Sequence, residues 1–160
     1  MKKALFLDRD GVLIRERGMY TYDLEDFELL PTVAKSLSIA REKGYLLIVA
    51  SNQGGIAKGI FSQERVEEMH AKLNSELAKH QILFDEVYYC PHHDEVGKCI
   101  CRKPDSLMLE KAIARFNIDA SESVMIGDSP RDVQAAAKAG VKGILIDSNS
   151  EIFTICQNLK

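Results

Sequence analysis

No apolar run in this sequence approaches the roughly 20 residues that a membrane-spanning helix needs. The amino-terminal stretch MKKALFLDRDG carries two lysines, but Asp8 cuts its apolar run short. It therefore fails as a secretory signal, and a cytoplasmic location is expected. Charge of one sign is missing as well: 21 basic residues against 24 acidic ones leave a net charge of -3. That balance gives neither nucleic acid nor an anionic membrane a basic face to bind. Internal repeats, low-complexity segments and linkers are absent too, so one domain over residues 1–160 is expected. Cysteine is limited to four residues, and a disulfide scaffold would be unusual in a chain with a core of this size and no secretory signal.

What is present is ordinary for a globular chain: 46% hydrophobic and 28% charged residues. Short apolar runs alternate with amphipathic stretches. Residues 4–8, 45–51, 84–90, 123–128 and 142–147 read as strands, mostly without period-2 alternation, as in strands covered on both faces. Helical patterns lie between them. One runs over 31–43 with Gly44 just beyond its end; a second follows a Ser62 N-cap with Val66, Met69, Leu73 and Leu77 on one face. A third covers 105–116 and a fourth 131–139, while residues 148–160 could close the chain with a short helix. Alternating strand and helix predicts an α/β fold with a doubly wound parallel sheet. Ligands bind such sheets at the carboxyl edge of the strands, which is where Asp8, Ser51, Cys90 and Asp128 all fall.

Asp8 and Asp10 in LFLDRDGVL raise a physical objection, since like charges at the end of a buried strand repel unless a cation sits between them. Asp128 supplies a third carboxylate at a neighbouring strand end. Hard oxygen ligands with open positions suit Mg²⁺, which keeps waters and binds phosphate. A carboxylate beside a phosphoryl group can attack phosphorus, and a second one two residues on can protonate the leaving oxygen and later activate water. The segment Ser51, Asn52, Gln53, Gly54 offers donors to phosphate oxygens, and the glycines of GGIAKG allow close backbone approach. Lys103 can neutralise developing charge. Each feature has a plain alternative: a turn, a flexible loop, a solvated lysine.

Cys90, Cys99 and Cys101 crowd together with His92 and His93 in CPHHDEVGKCIC. Two pairs, each spaced by one residue, can close a tetrahedral Zn²⁺ site that orders the loop and leaves catalysis to magnesium. His92 matches the C-x-C spacing and is the expected ligand, with His93 spare; free or buried thiols are the alternative. Cys156 has no partner in the pattern and reads as core. His70 reads as partly buried and His80 as surface.

These motifs resemble the haloacid dehalogenase superfamily of phosphatases. The resemblance rests on LFLDRDGVL, Ser51 after the second strand, Lys103 ahead of a helix, and GDSPRD at 127–132. It implies a Rossmann-like fold with no large cap domain and a zinc-bound loop. It also implies Asp8 as nucleophile, Asp10 as acid/base, and Asp8, the Asp10 carbonyl and Asp128 as Mg²⁺ ligands. Ser51 and Lys103 would stabilise the phosphoryl group, and Asp132 would orient the metal's surroundings or cap the following helix. Within the superfamily, the C-x-H…C-x-C loop followed by RKP resembles both the heptose bisphosphate phosphatases and the histidinol phosphatases. SNQGGIAKG and YDLEDFELLP are closer to the former; the length of the cysteine loop is closer to the latter. The partner is then a small phosphorylated metabolite. For a bisphosphate, Arg102 would take the second anion, with Arg15, Arg17 and Lys58 adding charge at the mouth. For histidinol phosphate, Glu16 or Asp94 would face the amine. A regulatory phosphate-binding protein would need a lost catalytic residue, and none is missing. A phosphotransferase would need an acceptor other than water, against which an intact Asp10 argues. A monomer is expected.

Overall fold

The computed structural model describes residues 1–160. Its elements run β1 (Lys3–Leu7), α1 (Val33–Glu42), β2 (Tyr45–Asn52), α2 (Gln63–Ala78), β3 (Glu86–Cys90), α3 (Leu107–Phe116), β4 (Val124–Gly127), α4 (Pro130–Lys138), β5 (Lys142–Leu145) and α5 (Phe153–Gln157). The five strands form one parallel sheet in the order β3-β2-β1-β4-β5. β1 lies at its centre. Leu5 and Leu7 pack on one face with Leu47, Val49, Val33, Leu37, Met69 and Cys156. Ala4 and Phe6 pack on the other with Ile48, Ala50, Met108, Leu109 and Ala136. Alternate β1 residues thus enter two separate cores, which is why the strand reads as a continuous apolar run. No helix is long and apolar enough to cross a membrane.

Helix boundaries follow their caps. Ser62 accepts a hydrogen bond from the Arg65 amide at the start of α2, and Ser129 with Asp132 forms a capping box on α4. α1 begins at Val33 rather than Pro31 because Thr32 sits at φ 66°, a left-handed conformation that a helix cannot include. α3 begins at Leu107 rather than Asp105, whose amide is turned back to the Arg102 carbonyl. The expected closing helix is α5.

Candidate active site

β1 stops at Leu7 and delivers Asp8 to the carboxyl edge. The chain then folds back sharply: the Gly11 amide donates to the Ile14 carbonyl, and Leu13 and Ile14 both donate to the Arg9 carbonyl. Gly11 has φ +80°, and a Cβ there would stand 2.1 Å from Asp128 Oδ2. Only glycine lets the β1 loop lie this close to the end of β4. Asp8, Asp10, Asn52, Arg102, Lys103 and Asp128 all line one cavity of about 310 Å³ at this edge. A larger apolar cavity of about 490 Å³ beside Val33 and Ile82 holds none of the motif residues.

Lys103 is 2% exposed, and its ammonium makes three contacts: 2.6 Å to Asp132, 3.0 Å to Asp8 and 2.7 Å to the Ala50 carbonyl. Burial alone would lower its pKa, but Asp8 and Asp132 outweigh burial and raise it, so the lysine stays charged. Around it the acids are crowded. One carboxylate oxygen each from Asp8, Asp128 and Asp132 lies within 4.8 Å of the others. Burial, with Asp8's charge added, lifts the Asp132 pKa to about 6 against the opposing pull of Lys103. Asp128 is raised as well, mainly by burial, although a Ser148 hydrogen bond opposes the shift. Three hard oxygen donors that resist sharing their charge are a donor set suited to a divalent cation. Asp132 also accepts from the Ser129 amide at 3.0 Å, so it caps α4 and holds Lys103 at once.

The groups after β2 are less free than their sequence suggests. Ser51 is buried, and its hydroxyl accepts from Gln53 Nε2 at 2.8 Å. The Asn52 side chain donates to the Lys103 carbonyl and accepts from the Lys103 amide, both at 3.0 Å. It therefore holds the lysine's backbone in place. A Cβ on Gly54 would meet Arg102 Nη1 and the His92 carbonyl at 2.9 Å, so this glycine allows the cysteine loop to close over the β2 edge. Arg102 is 8% exposed; Nη1 donates to the His92 carbonyl at 3.1 Å, whereas Nε has no hydrogen-bond partner. Asp94 lies 3.7 Å from that nitrogen. Arg15 and Arg17 both pair with Glu28, and Lys58 pairs with Glu95, so the free charge expected of them at the mouth is already engaged.

The cysteine loop gathers as its spacing predicts. The sulfurs of Cys90, Cys99 and Cys101 and Nδ1 of His92 lie within 4.8 Å of one another. Cys90 stands 3.7 Å from Cys99, and His92 Nδ1 stands 3.5 Å from Cys90 and 3.2 Å from Cys101. A Zn–S bond of about 2.3 Å implies ligand separations of about 3.8 Å in a tetrahedron; with Cys90 and Cys101 also 3.0 Å apart, the cluster is somewhat tighter than a zinc-filled site. Burial, reinforced by the neighbouring thiols, pushes the Cys90 thiol well above its ordinary pKa. Such crowding is relieved when a cation takes the protons' place. His93 is not in the cluster; its Nδ1 accepts from the Glu95 amide.

A HAD-hydrolase-like family model matches residues 100–152. The chain is 42% identical over 147 residues to the D-glycero-beta-D-manno-heptose-1,7-bisphosphate 7-phosphatase of Haemophilus ducreyi, covering 88% of this chain and 80% of that protein. The chain belongs to the heptose bisphosphate phosphatase family of the haloacid dehalogenase superfamily. A Campylobacter jejuni phosphatase named for the alpha anomer of the same bisphosphate is 40% identical, with 99% of this chain and 92% of that one covered. The D,D-heptose 1,7-bisphosphate phosphatase structure from B. bronchiseptica, complexed with magnesium and phosphate, superposes with a TM-score of 0.86. It is 30% identical, and the match covers 99% of this chain and 88% of that one. The phosphatase fold is thus established along with its family.

Two parts of this phosphatase's site carry no sequence signal of their own. Arg9, the residue between the two motif aspartates, is 1% exposed and bonded to Asp10, Gln53 and the Thr21 carbonyl. Asn149, after β5, donates its amide to the Gly11 carbonyl and clasps Glu16 through both ends of its side chain. Some 130 residues of sequence separate those partners, and no local pattern announces the contact.

Proposed function

We propose that this protein is a Mg²⁺-dependent phosphomonoester hydrolase that removes the 7-phosphate of D-glycero-D-manno-heptose 1,7-bisphosphate. The observation that carries the substrate choice is Arg102: a buried guanidinium whose Nε has no hydrogen-bond partner and only the exposed Asp94 at 3.7 Å, lining the same cavity as Asp8. A buried charged donor without an acceptor is costly. A second phosphate on the substrate supplies that acceptor, and a guanidinium can take it in a bidentate contact. The relatives' names point to the same substrate.

In this reading an Asp8 oxygen attacks phosphorus while the bond from phosphorus to the sugar oxygen breaks. Asp10 gives that oxygen its proton, and the dephosphorylated sugar leaves. Asp10 then takes a proton from water, whose oxygen attacks the phosphorus of the aspartyl-phosphate. Inorganic phosphate departs and Asp8 is regenerated. Lys103 stands 3.0 Å from Asp8 and neutralises charge on the phosphoryl oxygens, with Ser51, Asn52, Gln53 and Gly54 shaping the loop beside them. Asp8, the main-chain carbonyl of Asp10 and Asp128 would hold Mg²⁺, with Asp132 behind them; the ion supplies charge neutralisation and in-line orientation when bound. Cys90, His92, Cys99 and Cys101 would hold Zn²⁺ as a structural ion, fixing the loop that leads directly into Arg102 and Lys103. We extend the proposal to one domain over residues 1–160, acting as a cytoplasmic monomer.

Phosphate release with Mg²⁺ present tests the reading, comparing kcat/KM for the heptose bisphosphate and for histidinol phosphate. A preference of about a hundredfold for the bisphosphate, or roughly 2.7 kcal/mol, is expected. The reverse preference would make Arg102 an incidental charge and transfer the assignment to histidinol phosphate.

A further inference from the structure

We propose that His70 is a positioning residue for proton transfer: through Arg9 it holds the Asp10 carboxylate in the orientation that serves the leaving oxygen. The inference rests on the phosphatase reading above. It starts from an expensive arrangement. Burying a guanidinium is costly unless its N–H groups find acceptors, and a surface arginine could have paired Asp10 with far less desolvation. Arg9 instead draws acceptors from four separate segments. Nε lies 3.2 Å and 3.3 Å from the two Asp10 oxygens, and Nη2 reaches Asp10 Oδ1 at 3.1 Å, the Thr21 carbonyl at 3.0 Å and Gln53 Oε1 at 3.2 Å. Nη1 meets only His70 Nε2, at 3.4 Å.

This network grips one side of the carboxylate. The Nε and Nη2 edge lies side-on to both oxygens, and Gln53 Nε2 donates to Oδ2 at 3.1 Å. The remaining side is open to the cavity shared with Asp8, where the Asp10 side chain is 25% exposed. Three donors on one flank fix the plane of the carboxylate, and a general acid works only when that plane is aimed. Thr21 and Gln53 restrain the guanidinium through Nη2, and the contact at Nη1, the nitrogen that does not touch Asp10, supplies the remaining restraint on the grip.

His70 suits that end. A guanidinium has no acceptor, so the contact requires an unprotonated Nε2. Burial and the Arg9 charge hold the His70 pKa down at about 3, which keeps the ring neutral at physiological pH. The ring is itself fixed: it stands edge-on to Tyr89 at 5.5 Å, on a helix anchored in the core by Met69 and Leu73. A core role alone would be served by any apolar side chain of that volume.

The test separates positioning from bulk. A sugar phosphate has a poor leaving group that needs a proton, whereas p-nitrophenyl phosphate leaves as a stable anion and needs none. For His70→Met, kcat/KM for the sugar phosphate is expected to fall about 10- to 100-fold, within the range that general acid catalysis supplies. For the aryl phosphate it is expected to stay within about threefold. His70→Gln, whose amide oxygen can accept from Nη1, should restore most of the loss. Arg9→Lys, which keeps the charge but loses the fork, should reproduce the selective fall, and it carries the test should His70→Met not fold. Equal falls on both substrates, no fall on either, or no rescue by glutamine would overturn the inference. Wild-type protein inactive on both substrates would instead remove the phosphatase reading, and the inference with it.

Discussion

Removing the Lys103 charge should convert a compensated cluster into a strained one, and Lys103→Met does this at nearly constant volume. With an effective dielectric of about 20, unit charges at 2.6 Å and 3.0 Å attract by roughly 6 kcal/mol each before desolvation. Most of that gain is cancelled by the cost of taking three ions out of water, but deleting one partner leaves the others buried without compensation. The net loss for such a deletion is about 3–5 kcal/mol, a large part of a typical folding free energy. Asp132 sets the sign of the pH response. Its folded pKa of about 6 stands above the unfolded value of 3.8, so its ionisation costs stability at neutral pH and its protonation relieves that cost as pH falls. Without Lys103 the same carboxylate is harder still to ionise. The deficit of Lys103→Met should therefore be largest above pH 7 and shrink toward pH 5. Asp132→Asn keeps an acceptor for the Ser129 amide, so in the Lys103→Met background it should recover about 2 kcal/mol. Urea unfolding of the four proteins in chelator, at pH 5 and 7.5, reads both quantities. A Lys103→Met deficit below about 1 kcal/mol at pH 7.5, or additive effects of the two substitutions, would refute this account of the cluster.

Asp8→Asn should abolish turnover with an unchanged circular dichroism spectrum; near wild-type activity would remove Asp8 from the nucleophile's role. Cys99→Ser should lower bound zinc from one equivalent toward none by elemental analysis, and unchanged zinc would argue against the four-ligand cluster. Ser123→Ala should cost about 1–3 kcal/mol in thermal unfolding, because the buried Ser123 hydroxyl accepts from the Ala4 amide at 3.0 Å and donates to the Asp119 carbonyl at 2.6 Å. Because His70 is held neutral in the fold, the unfolded chain takes up its proton first as pH falls below 6.5. Wild-type stability should therefore drop by about 1.4 kcal/mol per pH unit more steeply than that of His70→Gln between pH 6.5 and 4. Parallel pH profiles for the two proteins would contradict the buried neutral ring.

Much of this site could be read from sequence because the sheet sorts residues by position. A strand covered on both faces shows as an apolar run, and the first polar residue after it is where the chain leaves the sheet. Asp8, Ser51, Cys90 and Asp128 each sit at such an exit or, for Ser51, one residue short of it, so adjacency in space followed from strand order. The cysteine cluster was legible for a different reason: its ligands are local, and spacing constrains them. What sequence could not convey was the state of the long cations. Arg15, Arg17 and Lys58 looked available at the mouth but are engaged by Glu28 and Glu95, partners that no periodicity selects. Arg9 carried no signal at all and is among the most buried side chains in the protein. His70 and Asn149 likewise matter through contacts that span 61 and 133 residues of chain.

The place of β1 in the middle of the sheet divides the protein's adaptability. Its amides are bridged by β2 on one side and β4 on the other, so exposing them requires opening the whole fold, whereas the loops after β1, β2 and β3 can open on their own. Hydrogen exchange should accordingly be slowest at Phe6 and Leu7 and fast in the segments around Met19, Ile60 and Val96, whose side chains stand exposed. The attacking group is thus carried by the part of the molecule least able to change. The surfaces that greet a substrate are carried by the parts most able to, so substrate preference can drift or be redesigned loop by loop while the reaction stays the same.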